Sequence, residues 1–370
     1  MFDFENFLKQ IVEMDVSDIH LRVDEVPAVR KDGEIIKTNF PVLSKITLDN
    51  IVDEIIPPHL KGKIDSIYNY DFLYELHGTA RFRVNYAKNL QNPMLVMRVI
   101  PYKTPSFEEK GIPKVLQRVC EQENGIIFVT GPTGCGKSTT LTAMLGYVNE
   151  NFSKHIITVE DPVEFFHKNN KSIFSQRQIG TDTEDYPTTI KYALRQDPDI
   201  ILIGEIRDRE TAKEALSAAE TGHLVFSTLH TSDTVQTVNR IVNFFEPHER
   251  SQVRIQLSEV LRATVAQKLL RKKDNNGRIP AFEILIATPT IKNYIAKDEL
   301  EQIYLLIKEG KYSDMITLNM YLSNLVRDNL ITPEIALEAS ENKNELMQMF
   351  KGAYHTSNSK KNFALEKFNY

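Results

Sequence analysis

The octapeptide Gly131-Pro132-Thr133-Gly134-Cys135-Gly136-Lys137-Ser138 fits the pattern G-x-x-x-x-G-K-S/T. Glycines at these intervals let consecutive backbone N–H groups turn toward one point, and a helix starting at the loop's end adds the positive end of its dipole. Such a concavity suits a polyphosphate. Lys137 supplies a cation for the β- and γ-phosphates and Ser138 a hydroxyl for Mg²⁺, with Thr133, Gly134, Cys135, Gly136 and Thr139 forming the rest of the cradle. The flanks agree with this chemistry: Ile126 to Thr130 reads as a strand entering the loop, and Thr139-Thr140-Leu141 as a helix leaving it. A chance octamer in an ordinary turn is not expected to carry both.

Hydrolysis of a bound triphosphate also needs a metal shell and a group to orient or deprotonate water. Asp197 to Glu205 reads as a buried strand ending in a carboxylate, a Walker B strand whose Glu205 is expected to hold Mg²⁺ through water at the carboxyl end of the sheet. Alone this signal is weak, because apolar strands capped by an acid are common; downstream of a P-loop it gains weight. A second strand tip carries Glu160, Asp161 and Glu164, which could serve the water or the metal, or form a solvated acidic loop. His223 and His230 bracket a further apolar strand, and a neutral imidazole at its far end can sense the γ-phosphate. Seven positions apart and without a thiolate nearby, they do not read as a zinc site. Guanidinium groups that stabilise transferred phosphate can come from Arg81, Arg83 and Arg98 on N-terminal strands, or from Arg195, Arg207 and Arg209 around the Walker B strand.

The elements that must hold these groups fall into ordered segments. Over residues 1–100, period-2 runs at 18–23, 34–36, 79–86 and 94–100 with helical spacing at 4–14 and 49–56 predict a small α+β domain. Prolines at 101, 105 and 113 mark 101–113 as a linker. From 114 to 288, helices alternating with runs that are apolar on both faces predict an α/β core, within which Lys268 to Gly277 reads as an exposed basic turn. Residues 289–353 read as helical, with Pro289 and Pro333 at helix starts, and 354–370 as a disordered tail.

Composition narrows the classes. With 370 residues, 41% hydrophobic and 26% charged, the chain is expected to be globular, of two or three domains. No apolar run reaches the ~18 residues of a membrane span, and MFDFENFLKQ does not resemble a signal peptide, so a cytoplasmic protein is expected. Two cysteines, Cys120 and Cys135, are too few for a disulfide framework and are expected as free thiols; at a helix N-terminus Cys135 could have a lowered pKa. A net charge of −5 argues against nucleic acid as a partner.

Taken together, GPTGCGKSTT, ITVEDPVEFFH, RQDPDIILIGEIRD and AAETGHLVFSTLHT resemble the Walker A, Asp box, Walker B and His box of the secretion ATPases, and within them the type IV pilus retraction ATPases of the PilT/PilU group. The resemblance spans about residues 1–350. It implies a PAS-like N-terminal domain and a RecA-like ATPase domain with ATP bound between them and between neighbouring subunits of a hexameric ring. It also implies twitching motility and an inner-membrane platform protein as partner, which would hold the ring at the membrane, with a paralogous retraction ATPase as a further partner. By the same resemblance Glu164 is the catalytic base, Glu205 the Walker B glutamate, His223 and His230 the His-box pair, and Arg81, Arg83 and Arg98 lie where such rings supply arginines to nucleotide. The family's AIRNLIRE motif, needed for retraction, corresponds to Thr290–Lys297; Ile291, Asn293 and Ile295 are kept, whereas Lys292, Ala296 and Lys297 depart from it. The choice between principal and accessory retraction ATPase therefore stays open. Two other readings stand beside a motor: a DNA-translocating ATPase, disfavoured by acidity and by the lack of an aromatic-basic stretch, and a nucleotide-binding regulatory ring without turnover, disfavoured by the completeness of the motifs.

Overall fold

A computed structural model describes residues 2–14, 16–31, 33–100, 104–275, 277–310 and 314–356. The chain divides into two compact units, the first made of Met1–Thr104 together with Glu164–Lys168. In it α1 (Phe4–Glu13), β1 (Asp18–Arg22), β2 (Ala28–Lys31), β3 (Glu34–Lys37), α2 (Lys45–Ile55), β4 (Asn69–Leu76), β5 (Ala80–Asn89) and β6 (Asn92–Ile100) follow in order. The strands form one sheet in the order β3-β2-β1-β6-β5-β4, every pair antiparallel. Asp3 and Ser44 start the two helices by accepting a backbone N–H from Asn6 and Thr47. Phe7, Leu8 and Ile11 of α1 and Leu48 and Val52 of α2 then join Ile19, Phe82, Val84 and Leu95 in one core. Period-2 alternation along β5 sends Phe82, Val84 and Tyr86 inward and leaves Arg81, Arg83 and Asn85 on the other face. Strands β2 and β4 go beyond those expected.

The second unit contains α3 (Phe107–Lys110), α4 (Val115–Cys120), β7 (Gly125–Thr130), α5 (Lys137–Asn151), β8 (His155–Glu160), β9 (Ile173–Gln178), α6 (Tyr186–Ala193), β10 (Ile200–Ile203), α7 (Arg209–Glu220) and β11 (Leu224–Leu229). It continues with α8 (Thr234–Asn243), α9 (Arg250–Val260), β12 (Leu261–Arg271), β13 (Arg278–Ile286) and helices α10 (Pro289–Lys297), α11 (Glu301–Glu309), α12 (Leu318–Arg327), α13 (Pro333–Ala339) and α14 (Lys343–Thr356). Its sheet runs β13-β12-β7-β11-β10-β8-β9, parallel throughout except for the β12–β13 hairpin. All residues of β7, β10 and β11 are buried, which is why these strands read as continuous apolar runs.

The proline-rich segment behaves differently from a linker beyond its start. Pro101, Tyr102 and Lys103 lie outside the described residues, whereas Ser106 and Glu109 form a reciprocal capping box that nucleates α3, and Phe107 and Ile112 are buried in the core of the second unit. The basic turn is also shorter than expected. Residues Lys268 to Arg271 continue β12, because the hairpin register pairs Arg271 with Arg278, and only the stretch between them, in which Asn276 is not described, remains a turn. After Pro289 the chain is helical; α14 reaches Thr356, and 357–370 lie outside the described residues. Among the described residues no helix is long and apolar enough to cross a membrane.

Phe128 sits in the middle of β7 with 1% of its surface exposed. Phe128→Ala should lower the unfolding free energy of the second unit by about 3–5 kcal/mol, read from denaturant titration, because a buried ring leaves a cavity that the surrounding strands cannot refill.

Candidate nucleotide site

Parallel pairing in register brings the carboxyl ends of β7 and β11 level, with Thr130 opposite Leu229, and sets Ala266 of β12 on the other side of Thr130. Gly131 therefore leaves β7 between two strands, and its N–H donates to the Leu229 carbonyl at 3.3 Å. Its φ of +139° and the space around it both require glycine, since a Cβ there would lie 2.3 Å from the Gln267 carbonyl oxygen. Helix α5 begins on Gly136, at φ +94°, with no side chain capping its first turn. The N–H groups of that turn have no intrahelical acceptor, and with the helix dipole they make a receptor for anionic oxygen. The residues present thus fit a phosphate.

The polar groups at the loop form a chain. The Lys137 ammonium donates to the Gly131 carbonyl at 2.8 Å and stands 3.5 Å from Nδ1 of His230. Nε2 of His230 lies 3.2 Å from Oε1 of Glu205, whose Oε2 accepts from Arg207 at 2.8 Å. A neutral imidazole that accepts from Lys137 and donates to Glu205 satisfies both contacts. The hydrogen bond to Glu205 and its negative charge raise the pKa of Arg207. Behind this row Tyr186 is half-buried; burial, and then the charge of Asp161, push its hydroxyl pKa up. Among the described residues no group of three or more His, Cys, Asp or Glu could cage a metal. The Ser138 hydroxyl and the Glu205 carboxylate are hard oxygen donors, the kind that complete the shell of Mg²⁺ carried in on nucleotide phosphates.

The remaining expected residues are distributed over both units. Glu160 ends β8 and accepts from the Thr158 hydroxyl at 2.7 Å; Asp161 follows it, exposed. Glu164 is exposed and belongs with Phe165 to Lys168 to the first unit. In that unit Arg81 pairs with Glu75 at 2.8 Å and lies 3.9 Å over the Phe166 ring. Arg83 stands directly across from Arg98, which donates to Asp18 at 3.0 Å. His223 parts from His230. It precedes β11, its carbonyl accepts from Gly125 at the start of β7, and its Nδ1 lies 3.0 Å from the Ala218 carbonyl. The length of β11, roughly 20 Å at ~3.3 Å per residue, separates it from the phosphate loop of its own chain. Arg195 is exposed in the turn before β10, at the end of that strand remote from Glu205. Arg209 is engaged by both carboxylate oxygens of Glu249. The Cys135 thiol does not have the lowered pKa suggested by its place before a helix: it is buried, and burial raises its pKa against the opposing pull of Lys137.

One contributor escapes the sequence motifs. Gln267 of β12, 3% exposed, donates from Nε2 to the Cys135 carbonyl at 2.6 Å and accepts from the Thr140 hydroxyl at 2.8 Å. Thr264 and Lys268 of the same strand are polar too, so the composition of β12 alone did not single Gln267 out. In the AIRNLIRE-like helix α10, Ile291 and Ile295 are buried, and Lys292 donates to the Glu259 carbonyl at 2.9 Å near the end of α9, a favourable place for a cation.

A phosphate loop at the carboxyl edge of a parallel sheet, with an acidic strand tip and a histidine beside its lysine, defines a RecA-like P-loop ATPase unit; an α+β unit stands before it and helices follow. A family model described as "Type II/IV secretion system protein" matches residues 74–315. The chain belongs to the type II/IV secretion system protein family. It is 42% identical over 320 residues to a twitching motility protein of Neisseria gonorrhoeae, covering 86% of each chain. With the type IV pilus retraction ATPase PilT of Pseudomonas aeruginosa it shares 41% identity over 339 residues, 92% of this chain and 98% of that one. A crystal structure of the pilus retraction motor PilT with bound ADP superposes with a TM-score of 0.87 at 39% identity, over 94% of this chain and 100% of that one.

Burial raises the pKa of both cysteine thiols. Native protein at pH 7.5 should therefore react with a thiol-specific chromogenic disulfide far more slowly than denatured protein, and fast native labelling of Cys135 would show that its thiolate is accessible.

Proposed function

We propose that the chain is an ATP-hydrolysing motor that powers type IV pilus retraction, and with it twitching motility, as a ring of six copies. The observation that carries the reading is the row Lys137, His230, Glu205 at the phosphate loop, at contacts of 3.5 and 3.2 Å. The relatives' names support the biological task. Lys137 would leave the Gly131 carbonyl for the β- and γ-phosphate oxygens and draw off charge as the terminal bond breaks. His230, already touching Lys137 and Glu205, would report whether the γ-phosphate is there. Ser138 and Glu205 would hold Mg²⁺, which when bound polarises the phosphates and neutralises their charge. Glu164 takes the general-base role implied by the family resemblance, with Glu160 and Asp161 in support. Arg81, Arg83 and Arg98 are the N-terminal guanidinium groups through which a ring could read nucleotide state.

The location that goes with this task is the cytoplasmic face of the inner membrane, where the ring would act on a membrane platform protein of the pilus machine. A paralogous retraction ATPase is a second partner, and nucleic acid is not among them.

Lys137→Ala should reduce ATP hydrolysis by the purified protein at least 100-fold with its folding intact, as expected when a charge-stabilising contact at phosphate is lost. Cells carrying only that variant, or lacking the gene, should bear more surface pili and move less on surfaces. Unchanged hydrolysis would overturn the site; unchanged pili and movement would overturn the task. Glu164→Gln should lower kcat much more than KM, and more than Glu160→Gln does, in steady-state assays.

A further inference from the structure

We propose that Gln267 is a positioning residue of the phosphate loop: through the Cys135 carbonyl it aims the backbone N–H of Gly136 at the nucleotide's phosphates. The inference rests on the reading of residues 131–138 as the ATP site. Register sets the stage, since Ala266 pairs with Thr130 and the next residue of β12 comes level with the loop as it leaves β7. There the Gln267 side chain, 3% exposed, donates from Nε2 to the Cys135 carbonyl at 2.6 Å. The Cys135 carbonyl and the Gly136 N–H belong to the same trans peptide plane and so point in opposite directions. Holding the carbonyl toward β12 turns that N–H away from β12, toward the concavity of the loop. The Cys135 carbonyl, an acceptor only, fixes the amide's nitrogen toward it, and the other end accepts from the buried Thr140 hydroxyl at 2.8 Å, which ties it to the first turn of α5. At 136 the left-handed φ of +94° calls for glycine, and a Cβ there would also come within 2.9 Å of Nε2. One side chain thereby restrains a peptide whose following residue, Gly136 at φ +94°, would otherwise give it backbone freedom to rotate.

The test uses the full-length protein and measures three quantities: the Kd for a fluorescent ADP, KM and kcat for ATP, and the thermal midpoint without nucleotide. Gln267→Met preserves the shape of the side chain and removes both hydrogen bonds. Kd and KM should rise roughly tenfold or more, with kcat at saturation within about threefold of wild type, which is the range lost with a buried hydrogen bond to an aligned group. Thr140→Val frees only the second bond and should keep Kd within about threefold. A purely packing role for Gln267 would instead lower the thermal midpoint and leave the Kd of the folded protein unmoved. Should Gln267→Met not fold, Gln267→Asn, one methylene shorter, takes its place with the same expected loss. Wild-type Kd in a folded Gln267 variant overturns the proposal, as does an equal loss in Thr140→Val. Lys137→Ala separates the two levels. If it too binds ADP like wild type, the ATP-site reading has failed; if it loses binding while the Gln267 variant does not, only the role of Gln267 has.

Discussion

In-register parallel pairing is the constraint on which the site depends. Because β8, β10, β11, β7 and β12 run the same way with their ends nearly level, whatever follows each strand is delivered to one edge of the sheet. Gly131 follows β7, Glu205 follows β10, His230 follows β11, and Gln267 extends β12 one step past its partner. Residues separated by more than a hundred positions then meet without any one loop having to reach far. The same rule explains why His223 and Arg195 stand apart from that edge, for both precede their strands.

Much of this was legible in the residues because it is encoded locally. The phosphate loop declares itself through glycines that backbone geometry demands, and the strand at 200–203 through an unbroken apolar run that both covered faces of the sheet require. Helix starts at Pro289 and Pro333 were equally plain, since proline tolerates only the first turn. What escaped depends on partners distant in the chain. Gln267 has no local reason to stand out from the mixed polar and apolar residues of its strand; its role exists only because β12 lies beside β7. The β12–β13 hairpin was read as a basic turn because Lys268, Arg271, Lys272 and Lys273 look solvated in sequence, while pairing with β13 keeps Leu269 and Leu270 in the sheet. Phe107 and Ile112 show the converse error, in which prolines suggested a break and two apolar side chains decided for the core.

Charge in the site is arranged to be exchangeable. Lys137 is held by a neutral carbonyl, and Glu205 by a histidine and an arginine, so each charged group has a partner that a phosphate or a metal ion can replace at modest cost. Cys135 shows the opposite principle, a side chain turned into the protein so that only its backbone takes part.

The short stretch from Glu164 to Lys168 has a different kind of consequence. The first unit is not encoded by one continuous piece of gene: the ring of Phe166, which covers the Arg81 guanidinium, arrives more than sixty residues after β6 has ended. During synthesis this surface must wait, bare, while the ribosome makes the phosphate loop and β8. A shortened gene ending at Thr104 would produce that surface permanently uncovered, and a chimera assembled from two relatives inherits a matched pair of ancestors only if both pieces are cut from the same parent.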